Sequence, residues 1–485
     1  MSDNRGTLYL GELSFIFMVL AILIIVYIFI SLVLVIGILM NGVRPTKTLA
    51  WLLAIFTIPV GGILLYLLLG RNRRKNKLFP LQDDFLKKAD FKYTLKDTDH
   101  PDIVDKTIEL INRTSKYPLT QRNRITILTN GQETFESIFS ALENAKEHIH
   151  FQYYIFEEGQ LASRLLDVFR TKIQEGVKIR LLYDGIGSYS LSKSYIKALK
   201  KGGVEVYQFL PFRFGRFLSS LNYRNHRKII SVDGEIGFTG GINISDKYLR
   251  GEDVEGNWRD THLRIDGEAA FLLDTVFMAD WHLASGDKVA VAGPQQNLKG
   301  TVEDSYVQIV PSGPDDDFDT MEQVYFSMIN SAKQSVFISN PYIIPNYAIL
   351  QSLKTAALSG LDVRLLMSET TDSKLVDWCV RAYFESYLKA GIKLYLYPKG
   401  FMHSKVVICD DNLVSVGTAN LDDRSLHQNY EVNALVYDKR ICEQMKEQFL
   451  VDCEKSIRLN YKAYKNRGWP SKILEGTAKL MSPLL

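Results

Sequence analysis

Two apolar runs open the chain, and mixed patterns follow. Residues 13–40 carry no charge, and a second apolar run covers residues 49–69. Each exceeds the ~20 residues that a helix needs to cross a ~30 Å hydrocarbon core. The first run is too long for a cleaved signal peptide, lacks a small-residue cleavage site, and is followed at once by the second. The pattern predicts a two-helix transmembrane hairpin within residues 1–70. Residues 71–123 are polar and read as a basic juxtamembrane linker with some helix. From Arg124 onward, β-branched runs such as 149–154 and 178–182 alternate with helical stretches such as 161–174, as in an α/β protein.

The α/β pattern occurs twice. Ala145-Lys146 before an apolar run matches Ala332-Lys333. The run that begins at Gly176 matches the one at Gly360, and Gly203 matches Gly391. The offsets are 187, 184 and 188 residues, too regular for chance. The chain therefore divides into two homologous α/β/α halves, residues 124–295 and 300–475, with a short tail over 476–485. The stretch 311–319, rich in Asp, Pro and Gly, reads as a loop early in the second half.

The sharpest repeat lies within these halves. His226, Lys228, Asp233, Gly240 and Asn243 recur at His403, Lys405, Asp410, Gly417 and Asn420, each 177 residues later. The residues after each lysine are β-branched, so His and Lys sit at i and i+2 of a strand and share a face. A glycine bend can return the chain so that Asn lies beside them. Two imidazoles, two ammonium groups and two carboxamides around one centre suit a phosphodiester. Lys and Asn neutralise the non-bridging oxygens, one His attacks phosphorus, and the other protonates the leaving oxygen. The pattern alone leaves open which histidine attacks. Lysines are poor metal ligands and no third His stands at ligand spacing, so neither a catalytic metal nor a cofactor is expected.

This doubled motif resembles the phospholipase D superfamily. The resemblance implies two halves meeting at a pseudo-twofold axis and a phosphohistidine intermediate without metal, with His226 as nucleophile and His403 as general acid. It further implies that Asp233 and Asp410 support catalysis, each set against the other half's histidine. Glu431, in Asn429-Tyr-Glu431, resembles the family's downstream acidic residue, and Asp260, in Trp258-Arg-Asp260, occupies the comparable place at a different spacing. A closer resemblance, over nearly the whole chain, is to the bacterial cardiolipin synthases. It rests on the two-span hairpin with Pro59-Val-Gly-Gly62, on Trp258-Arg-Asp-Thr-His-Leu-Arg-Ile265, and on the ending Met481-Ser-Pro-Leu-Leu485. It implies that two phosphatidylglycerol molecules become cardiolipin and glycerol, with membrane phospholipids and the bilayer as partners. A phospholipase D hydrolase and a phosphatidylserine synthase share the same first chemical step.

Charge placement refines the picture. The formal net charge is only +3, which with two membrane spans argues against nucleic acid. All the motif positions are intact, which argues against a non-catalytic scaffold. Five basic residues crowd positions 71–77, against two in the turn between the spans. The positive-inside rule then puts the catalytic part in the cytoplasm of a bacterial cell. The four cysteines form no C-x-x-C pair and read as free thiols in a reducing compartment. Just before the first motif, Phe212, Arg213, Phe214, Arg216 and Phe217 alternate rings with guanidinium groups. They read as a loop dipping into the lipid interface.

Overall fold

A computed structural model describes residues 4–40, 45–58, 60–67, 102–209, 223–250, 256–287, 305–398 and 400–482. The aromatic–arginine segment and the basic run at 71–77 lie outside the described residues.

The N-terminal unit is built from helix Asn4–Met40, helix Pro45–Thr57 and the short helix Gly61–Leu65. The 26 residues Phe15–Met40 are long and apolar enough to cross a membrane, the one such helix among the described residues. The second apolar run departs from expectation, because it is not one straight span over 49–69. Pro59 lacks the N–H that a continuing helix would use, and Val60 takes φ 64°. The chain then turns back on itself. The rings of Trp51 and Tyr66 stand 5.6 Å apart, where a continuous helix would separate them by about 22 Å. Gly62 permits this close approach, since a Cβ there would run into the backbone of Ala54 and Ile55. Tyr27 donates from its hydroxyl to the Ile55 carbonyl (2.6 Å) and ties the first helix to the second.

The first α/β half contains strands β1 Asn123–Thr129, β2 His148–Tyr153, β3 Lys178–Asp184, β4 Glu205–Phe209, β5 Ile229–Val232, β6 Ile236–Gly240 and β7 Thr261–Gly267. The second contains β8 Tyr306–Ser312, β9 Ser335–Ser339, β10 Asp362–Ser368, β11 Lys393–Tyr397, β12 Val406–Cys409, β13 Leu413–Gly417 and β14 Glu431–Tyr437. The first sheet runs β1-β7-β6-β5-β2-β3-β4, and the second runs β8-β14-β13-β12-β9-β10-β11. Strand for strand the order is the same, which confirms the duplication. In each half the three consecutive strands β2-β3-β4 or β9-β10-β11 are parallel, and the motif-bearing hairpin joins them antiparallel.

Each sheet packs one face on its own helices. One core gathers first-half residues such as Phe151, Phe169 and Phe238. Another gathers second-half residues such as Tyr325, Ile338 and Tyr387. A third core is shared: Leu263, Phe277 and Trp281 meet Val307, Phe337, Val414 and Phe449. Helix Glu268–Ser285 runs through this shared core and is buried over most of its length, as expected of a helix apolar on nearly all sides.

The segment expected as a linker ends inside the fold. Helix Asp102–Thr114 lies against the second half, with the Thr107 hydroxyl 2.8 Å from that of Ser327. Leu119 and Thr120 extend the second sheet by pairing antiparallel with Gln308 and Val307. Pro311 and Ser312, expected in a loop, close β8, and the loop begins at Gly313. The four cysteines are free and buried.

Candidate active site

Each motif occupies a β-hairpin, and the hairpin explains its spacing. His226 and Lys228 stand where the chain enters β5. Asp233 sits at the far turn, with φ 54°, and Gly234 follows with φ 67°. β6 returns the chain to Asn243. The second half repeats this with His403, Lys405, β12, Asp410 (φ 55°) and β13. Five residue steps along the hairpin arm carry each aspartate about 16 Å from its lysine.

The expectation that Asp233 and Asp410 serve the histidines is therefore corrected. The Asp233 carboxylate accepts from the backbone N–H groups of Lys146, Glu147 and His148 at 2.7–2.8 Å. Asp410 does the same for Lys333, Gln334 and Ser335 at 2.8–2.9 Å. Both positions need a residue that tolerates the left-handed region and can bind backbone donors, which is what Asp provides. These aspartates fasten the turn to the start of β2 or β9, at the end opposite the histidines.

The carboxylates that reach the histidines are Glu431 and Asp260, and each comes from the other half. Asn225 bridges to Tyr430 in parallel. The His226 N–H donates to the Tyr430 carbonyl (2.9 Å), and the Tyr430 N–H donates to the Arg224 carbonyl (2.8 Å). Likewise strand Gly400–Met402 pairs in parallel with Asn257–Arg259, and the His403 N–H donates to the Arg259 carbonyl (2.7 Å). Each histidine thus lies beside the residue just before a carboxylate of the opposite half. Nδ1 of His226 is 2.9 Å from Glu431 Oε2, and Nδ1 of His403 is 2.7 Å from Asp260 Oδ2. The two crossed pairs form a pseudo-twofold arrangement.

Burial and charge set the protonation. Burial, followed by the nearby Lys228, carries His226 down to about 4 despite Glu431. His403 is held well below its ordinary value by burial, Lys405, Lys228 and His226. These shifts favour neutral rings near pH 7, with Nδ1 of each ring engaged by a carboxylate and Nε2 outside that pair. Burial pushes Asp260 up to about 6, against the pull of Lys405. Burial also raises Glu431, but His226, Lys228 and the Thr418 hydroxyl outweigh it and leave the carboxyl below its usual range. Lys228 falls to about 7 through burial and the charge of Lys405. Lys405 falls to about 8 through burial.

Each ammonium group spends one N–H on its own motif: Lys228 Nζ donates to the His226 carbonyl (2.8 Å) and Lys405 Nζ to the His403 carbonyl. The other hydrogens remain for phosphoryl oxygens. Asn420 donates to the Tyr342 hydroxyl (3.1 Å) and Asn243 to that of Tyr248 (3.4 Å), leaving one amide N–H on each. Aromatic rings wall the centre. Tyr154 lies edge-on to His226, with centroids 4.9 Å apart, and Trp258 stands 5.1 Å from His403.

Several contributors carry no motif signal in the sequence. Arg227, between His226 and Lys228, ion-pairs with Asp280 (2.6 Å) and donates to the Glu431 and Ser312 carbonyls. Arg259 is fixed by Asp452 (2.8 Å) beside Asp260. The Thr418 hydroxyl donates to Glu431 Oε2 (2.6 Å). Its counterpart is Gly241, where a Cβ would run into the Asp260 carboxylate. That difference was legible, since the halves read Gly-Gly-Ile-Asn and Gly-Thr-Ala-Asn. Half-buried Arg424 reaches the rim of the site, donating from Nε to Asn429 Oδ1 (3.4 Å), while Asn429 Nδ2 lies 3.3 Å from Glu431 Oε1.

Comparison with known proteins agrees with this geometry. The family described as "Cardiolipin synthase, PLD-like domain" matches residues 138–281 and 325–452, one segment in each half. A second family, "Phospholipase D-nuclease N-terminal", matches residues 19–71. The chain belongs to the phospholipase D-like cardiolipin synthase family. A protein named cardiolipin synthase from Alkalihalophilus pseudofirmus is 40% identical over 91% of this chain and 90% of its own. Cardiolipin synthase 2 from Bacillus anthracis is 41% identical over 91% and 87%. The crystal structure of a phosphatidylserine synthase from Haemophilus influenzae shares the fold, with TM-score 0.59 and 16% identity over 78% of this chain and 100% of that one. Two groups of described residues approach metal-ligand spacing, His148–His150–Asp274 and Asp319–Glu322–His427, and neither contains a motif residue.

Proposed function

We propose that this phosphatidyltransferase makes cardiolipin from two molecules of phosphatidylglycerol. The observation that carries the reading is the crossed pair of dyads, His226–Glu431 and His403–Asp260, set around Lys228 and Lys405. Nε2 of His226 attacks phosphorus of the first lipid, and the bond from phosphorus to the glycerol headgroup oxygen breaks. Nε2–H of His403 gives its proton to that oxygen. Burial and the neighbouring lysines keep His403 neutral in the free site, and the substrate's own negative charge between the lysines counters both, so the ring gains this proton as the lipid binds. In the second half-reaction His403 takes the proton from the glycerol hydroxyl of a second phosphatidylglycerol. That oxygen attacks phosphorus, and the nitrogen–phosphorus bond breaks.

His226 suits the attacking role because Glu431, ionised and held by Thr418, can balance the positive charge that its ring gains on bonding phosphorus. We assign the acceptor's own phosphate to Arg424, the half-buried cation beside Asn429. Purified protein in detergent, given labelled phosphatidylglycerol, should yield cardiolipin and glycerol. Phosphatidic acid as the main product would instead make it a hydrolase. The five basic residues at 71–77 favour a catalytic part on the cytoplasmic face. A cysteine placed there should resist impermeant reagents in intact cells, and labelling from outside would reverse the orientation.

A further inference from the structure

The C-terminal helix Trp469–Lys479 packs with its polarity inverted. An amphipathic helix on a globular core normally buries its apolar stripe and exposes its charges. Here the buried residues are Glu475 and Ala478. Glu475 is ion-paired with Arg467 (2.8 Å), which also binds Glu385 (2.7 Å). On the opposite side Trp469, Ile473 and Leu480 follow one another at helical spacing, and they are 73%, 58% and 80% exposed. No described residue covers this face.

The surrounding charge is equally one-sided. Residues 455–485 hold seven basic residues, Lys455, Arg458, Lys462, Lys465, Arg467, Lys472 and Lys479, against the single acid Glu475. All of the basic ones except Arg467 are exposed. The whole chain has a net charge of only +3, so residues 1–454 sum to a slight negative charge, and this segment is, with the run at 71–77, a place where positive charge gathers. An apolar stripe that includes a tryptophan, framed by lysines, is the composition that settles at the boundary of headgroups and acyl chains.

We infer that this helix and the basic segment before it are a lipid-docking surface, seated on anionic phospholipid headgroups with Trp469, Ile473 and Leu480 entering the acyl boundary. The occupant follows from charge complementarity, since a bilayer containing phosphatidylglycerol is anionic and offers an apolar layer just beneath. The inference rests on the reading that the substrates are bilayer phospholipids. The surface is separate from the hairpin anchor in sequence. It gives the catalytic unit its own hold on the leaflet from which it draws substrate.

The test uses full-length protein in vesicles containing phosphatidylglycerol. The native cysteines are buried, so a nitroxide can be directed to Ile473→Cys or, as a control on another face of the helix, to Ser471→Cys. The label at 473 should collide with lipid-soluble oxygen more readily than with an aqueous nickel complex, and the label at 471 should show the reverse. Replacing the anionic lipid by a zwitterionic one should weaken the difference. Equal access of the nickel complex to both positions would overturn the proposal. So would strong spin–spin coupling at 473, because a second copy of the chain would then cover the face. Cardiolipin formation is followed in the same vesicles. A lipid-buried label without cardiolipin would leave the docking surface standing and remove the assigned reaction instead.

Discussion

Glu431→Gln and Asp410→Asn make a paired prediction, because both remove a carboxylate in the second half and the structure gives them opposite consequences. Glu431 is fully buried and receives His226 on both oxygens, at 2.9 and 3.0 Å, together with the Thr418 hydroxyl. In the proposed reaction Nε2 bonds phosphorus, and the ring becomes cationic beside this carboxylate. Two unit charges ~4 Å apart interact by about 4 kcal/mol at an effective dielectric constant near 20. A neutral amide forfeits that stabilisation, which slows adduct formation by roughly 10³-fold. Asp410 accepts three backbone N–H groups at a partly exposed turn. Asparagine keeps one oxygen and opposes its amide to one N–H, at a cost of about 1–2 kcal/mol after discounting for exposure. That lowers Tm by roughly 2 °C per kcal/mol and leaves the rate within twofold. The assay is single-turnover trapping of the phosphatidyl-enzyme by acid quench, with thermal unfolding in parallel. If Asp410→Asn suppressed the adduct as strongly as Glu431→Gln while Tm stayed constant, the structural role assigned to Asp410 would be wrong.

Binding of an oxyanion such as tungstate should take up protons. Lys228 and Lys405 titrate at about 7 and about 8 in the free site, and a bound anion raises both, so affinity should strengthen as pH falls from 9 to 7. Calorimetry in two buffers of different ionisation enthalpy measures the uptake, and none at pH 8 would refute the charge model. Arg424→Gln should cut cardiolipin formation about tenfold, the worth of one charge-assisted contact, yet keep exchange of labelled glycerol into phosphatidylglycerol within twofold; equal loss in both would exclude an acceptor role. Activity should persist in EDTA, and complete loss restored by one divalent ion would end the metal-free mechanism. Replacing Phe212, Phe214 and Phe217 with Ser should weaken turnover on vesicles more than on short-chain soluble lipid, and parallel losses would mean a buried segment instead.

The sequence made the duplicated α/β fold and the His–Lys–Asn centre readable for a simple reason. A strand has period 2, so His226 and Lys228 had to share a face, and an unshifted second copy removed chance. The role of the motif aspartates was misread because spacing does not say which end of a hairpin a carboxylate serves. Asp233-Gly234 is itself a hairpin-turn signal, and it pointed to the structural role. Asp260 and Glu431 stand at equivalent places, yet they lie 17 and 11 residues after their asparagines, so pattern matching alone could not equate them. The break in the second apolar run was available in Pro59-Val-Gly-Gly62. The docking of Asp102–Thr114 and Leu119–Thr120 on the second half was not, because it depends on contacts with residues about two hundred positions away.

The crossed dyads also bear on synthesis of the protein. A nascent chain that has emerged only through the first half already holds His226, Lys228 and Asp260. It has neither the carboxylate that orients His226 nor the strand beside Tyr430 that positions it. Such a chain, or a truncated product that stops there, carries half the reactive groups but no working nucleophile. Under the proposed mechanism a partly made chain leaves phospholipids near the ribosome untouched, and the first half-reaction waits until translation has passed Glu431.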